Sequence, residues 1–295
     1  MLLTTFGEFS NIGTNLLDHG VRLAERIKFK QKYLPNRLKK YRGQKKLAIL
    51  YHGYAQGRAA FETMERVLSS PLFGFFPITS GYQPYSQDIR VSAAEEVKQL
   101  ERIRRETDAE EVYLIGHSQG GLLIREIIQG IGYTEDIKHC LFLGTPHMGT
   151  WAGLAGFAHQ ALVSTASYFL PRVKVKGESA RQMIPGCKFL RTLNAKPLPS
   201  GISYTNIYNY IDPLVWPASY ARLPYQEAHN VLMMKIGHLQ MLYDLQELEI
   251  ILRTLMEPDI TGQKFMDLVL GDSALETRGI QIENTESQFE ELVAG

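Results

Sequence analysis

Val112-Tyr113-Leu114-Ile115-Gly116-His117-Ser118-Gln119-Gly120-Gly121 joins an uninterrupted apolar run to a serine with glycines two positions to either side. The run has the composition of a strand buried on both faces. Leu122, Leu123 and Ile124 then begin an apolar helical pattern that reaches about Gly130. A strand that passes into a helix through Gly-x-Ser-x-Gly needs a very tight turn. The serine backbone is strained there, only small neighbours fit, and the hydroxyl projects above the sheet at the positive end of the helix.

The flanking sequence repeats this alternation. The stretches 47–51, 74–79, 137–143, 203–210 and 231–236 read as strands, and helical periodicity appears at 59–68, 91–105 and 239–255. Strands alternating with helices of this length predict a mostly parallel sheet covered on both faces. The 143–203 interval is too long for one crossover. Within it, residues 151–171 carry no Asp, Glu, Lys or Arg. Their length alone would permit a membrane span, but the many Gly, Ala, Ser and Thr residues and His159 fit a helical cap over about 150–202 instead.

A serine hydroxyl needs a base to become a nucleophile near neutral pH. Sites in open parallel sheets form at the carboxyl ends of strands, which sorts the eight histidines. His238 follows the last strand by two residues. His229 lies at that strand's amino end, His139 is inside a strand, His19 precedes the fold, and the His117 side chain is expected to point elsewhere. Asp212, just past the 203–210 strand, is the candidate acid that fixes the imidazole tautomer. Asp136 and Glu227 fall near amino ends, and no acid occurs from Gly144 to Gly177. The backbone N–H groups of Gln119 and of Tyr54, in the loop His52-Gly53-Tyr54-Ala55-Gln56-Gly57, are the expected oxyanion donors.

HGYAQG (52–57), GHSQGG (116–121), LGTPHMGT (143–150), the DPLVWP stretch (212–217) and GHLQMLY (237–243) resemble the lipase and esterase branch of the α/β-hydrolases, over roughly 47–255. The resemblance implies the α/β-hydrolase fold, hydrolysis of carboxylic esters or lipids through an acyl-Ser118 intermediate, water as acceptor, and no metal or other cofactor. It also places Thr145 to Gly149 at the border of the site, with His147 as a wall residue. Trp151 and Phe157, with Tyr82 and Tyr85, are the expected greasy lining for an acyl chain. Three alternatives stay open: a phospholipase or lysophospholipase at a membrane surface, an acyltransferase or thioesterase, and a non-catalytic binding protein on the same fold.

The ends depart from that resemblance. Residues 22–46 hold eleven Lys or Arg against Glu25, and the stretch after Met256 holds nine acids against Lys264 and Arg278. The chain therefore divides into an amphipathic and basic extension (1–46), a hydrolase domain (47–256) and an acidic tail (257–295). Residues 9–27 have roughly helical apolar spacing, suited to docking on the body or to peripheral membrane contact. A net charge of +1 gives no whole-chain reason to expect nucleic acid. The N-terminus lacks a Sec leader pattern, and nothing pairs Cys140 with Cys187, so a reducing cytoplasmic location is expected. Export by a dedicated machinery stays open.

Overall fold

The computed structural model describes Gly43 and residues 45–152 and 178–256, except positions 55, 71, 72, 83, 85, 86 and 108. Most of the 1–46 extension, residues 153–177 of the expected cap with Phe157, the 257–295 tail, and Tyr85 lie outside the described residues.

Among the described residues, six strands form one sheet: β1 (Lys46–Tyr51), β2 (Phe75–Thr79), β3 (Glu111–His117), β4 (Ile137–Leu143), β5 (Ser203–Ile211) and β6 (Ala228–Ile236). Their spatial order is β2-β1-β3-β4-β5-β6, and every neighbouring pair is parallel. The helices are α1 (Glu62–Leu68), α2 (Ile89–Glu106), α3 (Gln119–Arg125, continued by a π-helical turn at Glu126–Ile131), α4 (Glu178–Gln182), α5 (Lys188–Asn194) and α6 (Leu245–Met256).

Strand alternation splits the core in two. Leu47, Ile49, Val112, Leu114 and Phe142 pack on one face with Ile89, Ala93 and Leu100 of α2 and Leu122 and Leu123 of α3. Ala48, Leu50, Ile115, Leu141 and Ile207 pack on the other with Met64 and Leu68 of α1 and Leu248, Ile251 and Leu252 of α6. Both sheet faces are thus covered in the centre, which is why 47–51 in β1, 112–115 in β3 and 140–143 in β4 read as continuous apolar runs.

The larger departures from the sequence reading lie in the second half of the chain. Strand β6 starts at Ala228, because Ala228, His229 and Asn230 pair with Tyr204, Thr205 and Asn206 despite their polarity. The last helix starts at Leu245 rather than Leu239. Residues 240–242 form a separate 3-10 turn, and the Asp244 carboxylate accepts from the N–H groups of Gln246 (3.0 Å) and Glu247 (3.2 Å), capping α6. The described second half of the expected cap joins the body instead: Met183, Phe189, Leu190 and Leu193 enter the core on the α2 and α3 face. Among the described residues, no helix is long and apolar enough to cross a membrane. Both cysteines are free.

Candidate active site

The turn after β3 is as tight as its sequence requires. Ser118 has φ 53° and ψ −122°, a left-handed conformation rare for a non-glycine residue. It is held by Ser118 N–H to Leu143 C=O (2.8 Å) and Gly121 N–H to Ser118 C=O (3.0 Å). A Cβ at Gly120 would stand 1.9 Å from the Tyr51 carbonyl oxygen, and one at Gly116 would stand 2.6 Å from Gly121 N. Glycine is therefore a steric necessity at both positions. Ser118 is partly exposed.

Asp212 and His238 lie at the same carboxyl edge of the sheet. Ile211 and Ile236 are register partners at the ends of β5 and β6, and the two residues follow them. His238 Nδ1 is 2.6 Å from Asp212 Oδ2, and both side chains are buried. The other carboxylate oxygen accepts from Leu214 N–H (2.8 Å) and Val215 N–H (2.9 Å). Because that carboxylate only accepts when ionised, Nδ1 carries the ring proton and Nε2 is left as the basic nitrogen.

His117 is not directed elsewhere. Its ring centroid lies 4.6 Å from that of His238, and its Nε2 is 2.9 Å from the His238 carbonyl oxygen. A carbonyl can only accept, so Nε2–H donates. Burial, and then the neighbouring His238, hold the His117 pKa well below the usual histidine range. Its Nδ1 lies 2.9 Å from Gln56 Oε1, which accepts from Gly53 N–H (2.6 Å). With the ring proton on Nε2, Nδ1 and Gln56 Oε1 are both acceptors, so the 52–57 loop packs against the residue before Ser118 without a hydrogen bond at that contact. Tyr82 stacks on His52 (4.8 Å between ring centroids) and donates its hydroxyl proton to the His52 carbonyl. It braces this loop and does not line an open pocket.

Gln119 opens α3, so its N–H has no intrahelical acceptor to reach. Its side chain donates to the Pro84 carbonyl (3.1 Å). Tyr54 sits in the turn closed by Gln56 N–H to Gly53 C=O (3.2 Å). Among the described residues, no group of three or more His, Cys, Asp or Glu could hold a metal ion.

A family model of palmitoyl protein thioesterases matches residues 48–222, more than half of the chain and including Ser118 and Asp212. The chain belongs to the palmitoyl protein thioesterase family. Solved structures with the same architecture include the mature form of a Bacillus licheniformis lipase (16% identity, 72% of this chain and 93% of that one, TM-score 0.54). They also include a Bacillus anthracis bromoperoxidase (15% identity, 72% and 92%, TM-score 0.53) and Aspergillus fumigatus lipase B (16% identity, 78% and 57%, TM-score 0.56). At such identities the likeness establishes the α/β-hydrolase fold and nothing finer. Comparison with curated protein sequences found no match. This member of the palmitoyl protein thioesterase family is therefore a hydrolase of the esterase, lipase and thioesterase type.

In this thioesterase-family chain His147 is not a wall. It is fully buried. Its Nε2 pairs with Asn206 Oδ1 (3.1 Å) and its Nδ1 lies 3.5 Å from Arg125 Nη1. Burial, and then the Arg125 charge, hold its pKa well below the usual range. Arg125 is itself buried, with hydrogen bonds to Gln129 Oε1 (2.8 Å), Asn194 Oδ1 (2.8 Å) and the Tyr225 hydroxyl (2.9 Å). Desolvation pushes its pKa down to about 10. The pair fastens the 143–150 turn to α3 and α5 from beneath. Trp151 stays 56% exposed, and Thr150 next to it donates to the Leu214 carbonyl in the Asp212 loop. Only chain proximity could have flagged Gln56 and His117, and no sequence signal marked Arg125 as the partner of His147.

Proposed function

We propose that this protein is a serine acyl hydrolase in which Ser118 is the nucleophile, His238 the general base and Asp212 the residue that orients it. The observation that carries this reading is the buried 2.6 Å contact between His238 Nδ1 and Asp212 Oδ2, at the sheet edge where Ser118 holds its strained turn. His238 Nε2 takes the Ser118 proton as the oxygen attacks the acyl carbonyl. The backbone N–H groups of Gln119 and Tyr54 stabilise the oxyanion, each at roughly 3 kcal/mol. The protonated His238 then gives its proton to the leaving group. Water, deprotonated by the same nitrogen, releases the acid and restores Ser118.

The substrates proposed are carboxylic esters with apolar acyl chains, with Trp151, 56% exposed, as an aromatic contact for them. The family match favours a second reading, in which the bond cleaved is a thioester. A thiol has a much lower pKa than an alcohol, so its departure depends less on proton donation by His238. Fluorophosphonate labelling that disappears in Ser118→Ala supports the nucleophile assignment, and labelling that persists in the folded variant refutes it. Matched panels of p-nitrophenyl esters and acyl thioesters, from short to long chains, separate the two substrate classes by kcat/KM.

A further inference from the structure

A general base must stand within hydrogen-bond reach of the proton it takes, and a misplacement of about 1 Å can cost about 10²-fold in rate. The backbone that carries the His238 imidazole therefore has to be held against Ser118 as well as against Asp212. Two ties run to β5. Gly237 N–H donates to the Ile211 carbonyl (2.9 Å), and Asn209 Nδ2 donates to the Gly237 carbonyl (2.9 Å). Because β5 also leads into Asp212, these bonds set base against acid, not base against nucleophile.

The tie to the nucleophile's own strand is His117. It ends β3, immediately precedes Ser118 and is fully buried. Its Nε2 lies 2.9 Å from the carbonyl oxygen of His238 itself, and the two rings are 4.6 Å apart between centroids. A neutral imidazole has one N–H to give. Gln56 Oε1, facing Nδ1, is already served by Gly53 N–H (2.6 Å), so the ring proton is left for the His238 carbonyl. One side chain thus runs from the residue next to the nucleophile to the peptide of the base, across 121 positions of sequence.

We propose that His117 is a positioning residue: by donating from Nε2 to the His238 carbonyl it fixes the base against Ser118. The inference rests on the reading of His238 as the base. The un-ionised state of His117 serves the same end, since a second positive charge beside His238 would lower its basicity.

The test removes the donor and then restores it. His117→Phe keeps a ring without an N–H, and His117→Met, unbranched and adaptable, is the second donor-less variant should Phe disturb the fold. His117→Gln carries an N–H at similar reach. Thermal melts identify the folded proteins. Phe and Met are expected to lower kcat for ester hydrolysis about tenfold with KM unchanged, as for one lost positioning hydrogen bond, and Gln to restore most of it. Fluorophosphonate inactivation rates are then compared in wild type, His117→Phe, His238→Ala and the double variant. Because His117 acts through the base, its loss slows the wild-type protein about tenfold and the His238→Ala protein not at all. Equal slowing in both backgrounds overturns the proposal, since the effect then lies in the Ser118 turn. So does a folded Phe or Met variant with wild-type kcat, or a Gln variant no faster than Phe. If His238→Ala is itself inactivated at the wild-type rate, it is the reading of His238 as base that has failed, and the positioning role falls with it.

Discussion

Replacing Asp212 by Asn tests the proposed roles with almost no change of shape. Asp212 Oδ1 accepts two backbone N–H groups, from Leu214 and Val215, at 2.8 and 2.9 Å. Only an oxygen is tolerated there, so the Asn oxygen takes that position and the NH2 group faces His238 Nδ1 at the former Oδ2 position, 2.6 Å away in the native protein. Two donors cannot face each other. The ring therefore moves its proton to Nε2 and accepts at Nδ1, leaving no lone pair for the Ser118 proton. The same change in a Ser-His-Asp template lowers kcat about 10⁴-fold, or about 5.5 kcal/mol. Stability changes little, because every buried donor and acceptor stays paired. Steady-state ester hydrolysis, the second-order rate of fluorophosphonate inactivation and a thermal melt measure the three quantities together. A folded Asp212→Asn protein within about tenfold of wild-type kcat would refute the reasoning, since a tautomer trap cannot cost so little.

Gly120→Ala is expected to destabilise the protein by more than about 3 kcal/mol, because the new Cβ meets the Tyr51 carbonyl oxygen at 1.9 Å on a central strand that cannot move aside. A thermal melt with near-native Tm would contradict the close approach. His147→Leu leaves Asn206 Oδ1 and an Arg125 donor unpaired and is expected to cost about 2–3 kcal/mol in urea unfolding, with KM close to wild type. A raised KM at unchanged stability would return His147 to the substrate wall. Raised carboxyl pKa values also reverse the usual acid-stability trend. Relative to Glu247→Gln, the wild-type Tm is expected to be highest below the unfolded-state value near 4.5. It should fall as pH climbs through about 7, where the buried acid must lose its proton.

The sheet could be read from the chain because its central strands are buried on both sides. Runs such as Leu47–Tyr51 carry no polar interruption, and in Ile137–Leu143 the exposed Lys138 falls near the amino end, ahead of the buried Cys140–Leu143. Asp212 and His238 could be picked out because their positions follow from where strands end, which is local information. The misplacements depend on contacts between distant residues. That His147 turns inward follows from a guanidinium 22 positions earlier and an amide 59 positions later. The delayed start of α6 follows from the Asp244 cap, which wins over the apolar periodicity of 239–242. His117 meets His238 across 121 residues, a neighbourhood no window of sequence contains.

The placement of β6 at the rim has a consequence for how the molecule comes into being. Strand β3 occupies the interior of the sheet, whereas among the described residues β6 pairs on one flank only, with β5, and is among the last parts of the body to leave the ribosome. Ser118 can thus reach its strained turn while His238 is still unmade. On the proposed roles, a nascent or prematurely ended chain would carry the hydroxyl without the imidazole that activates it.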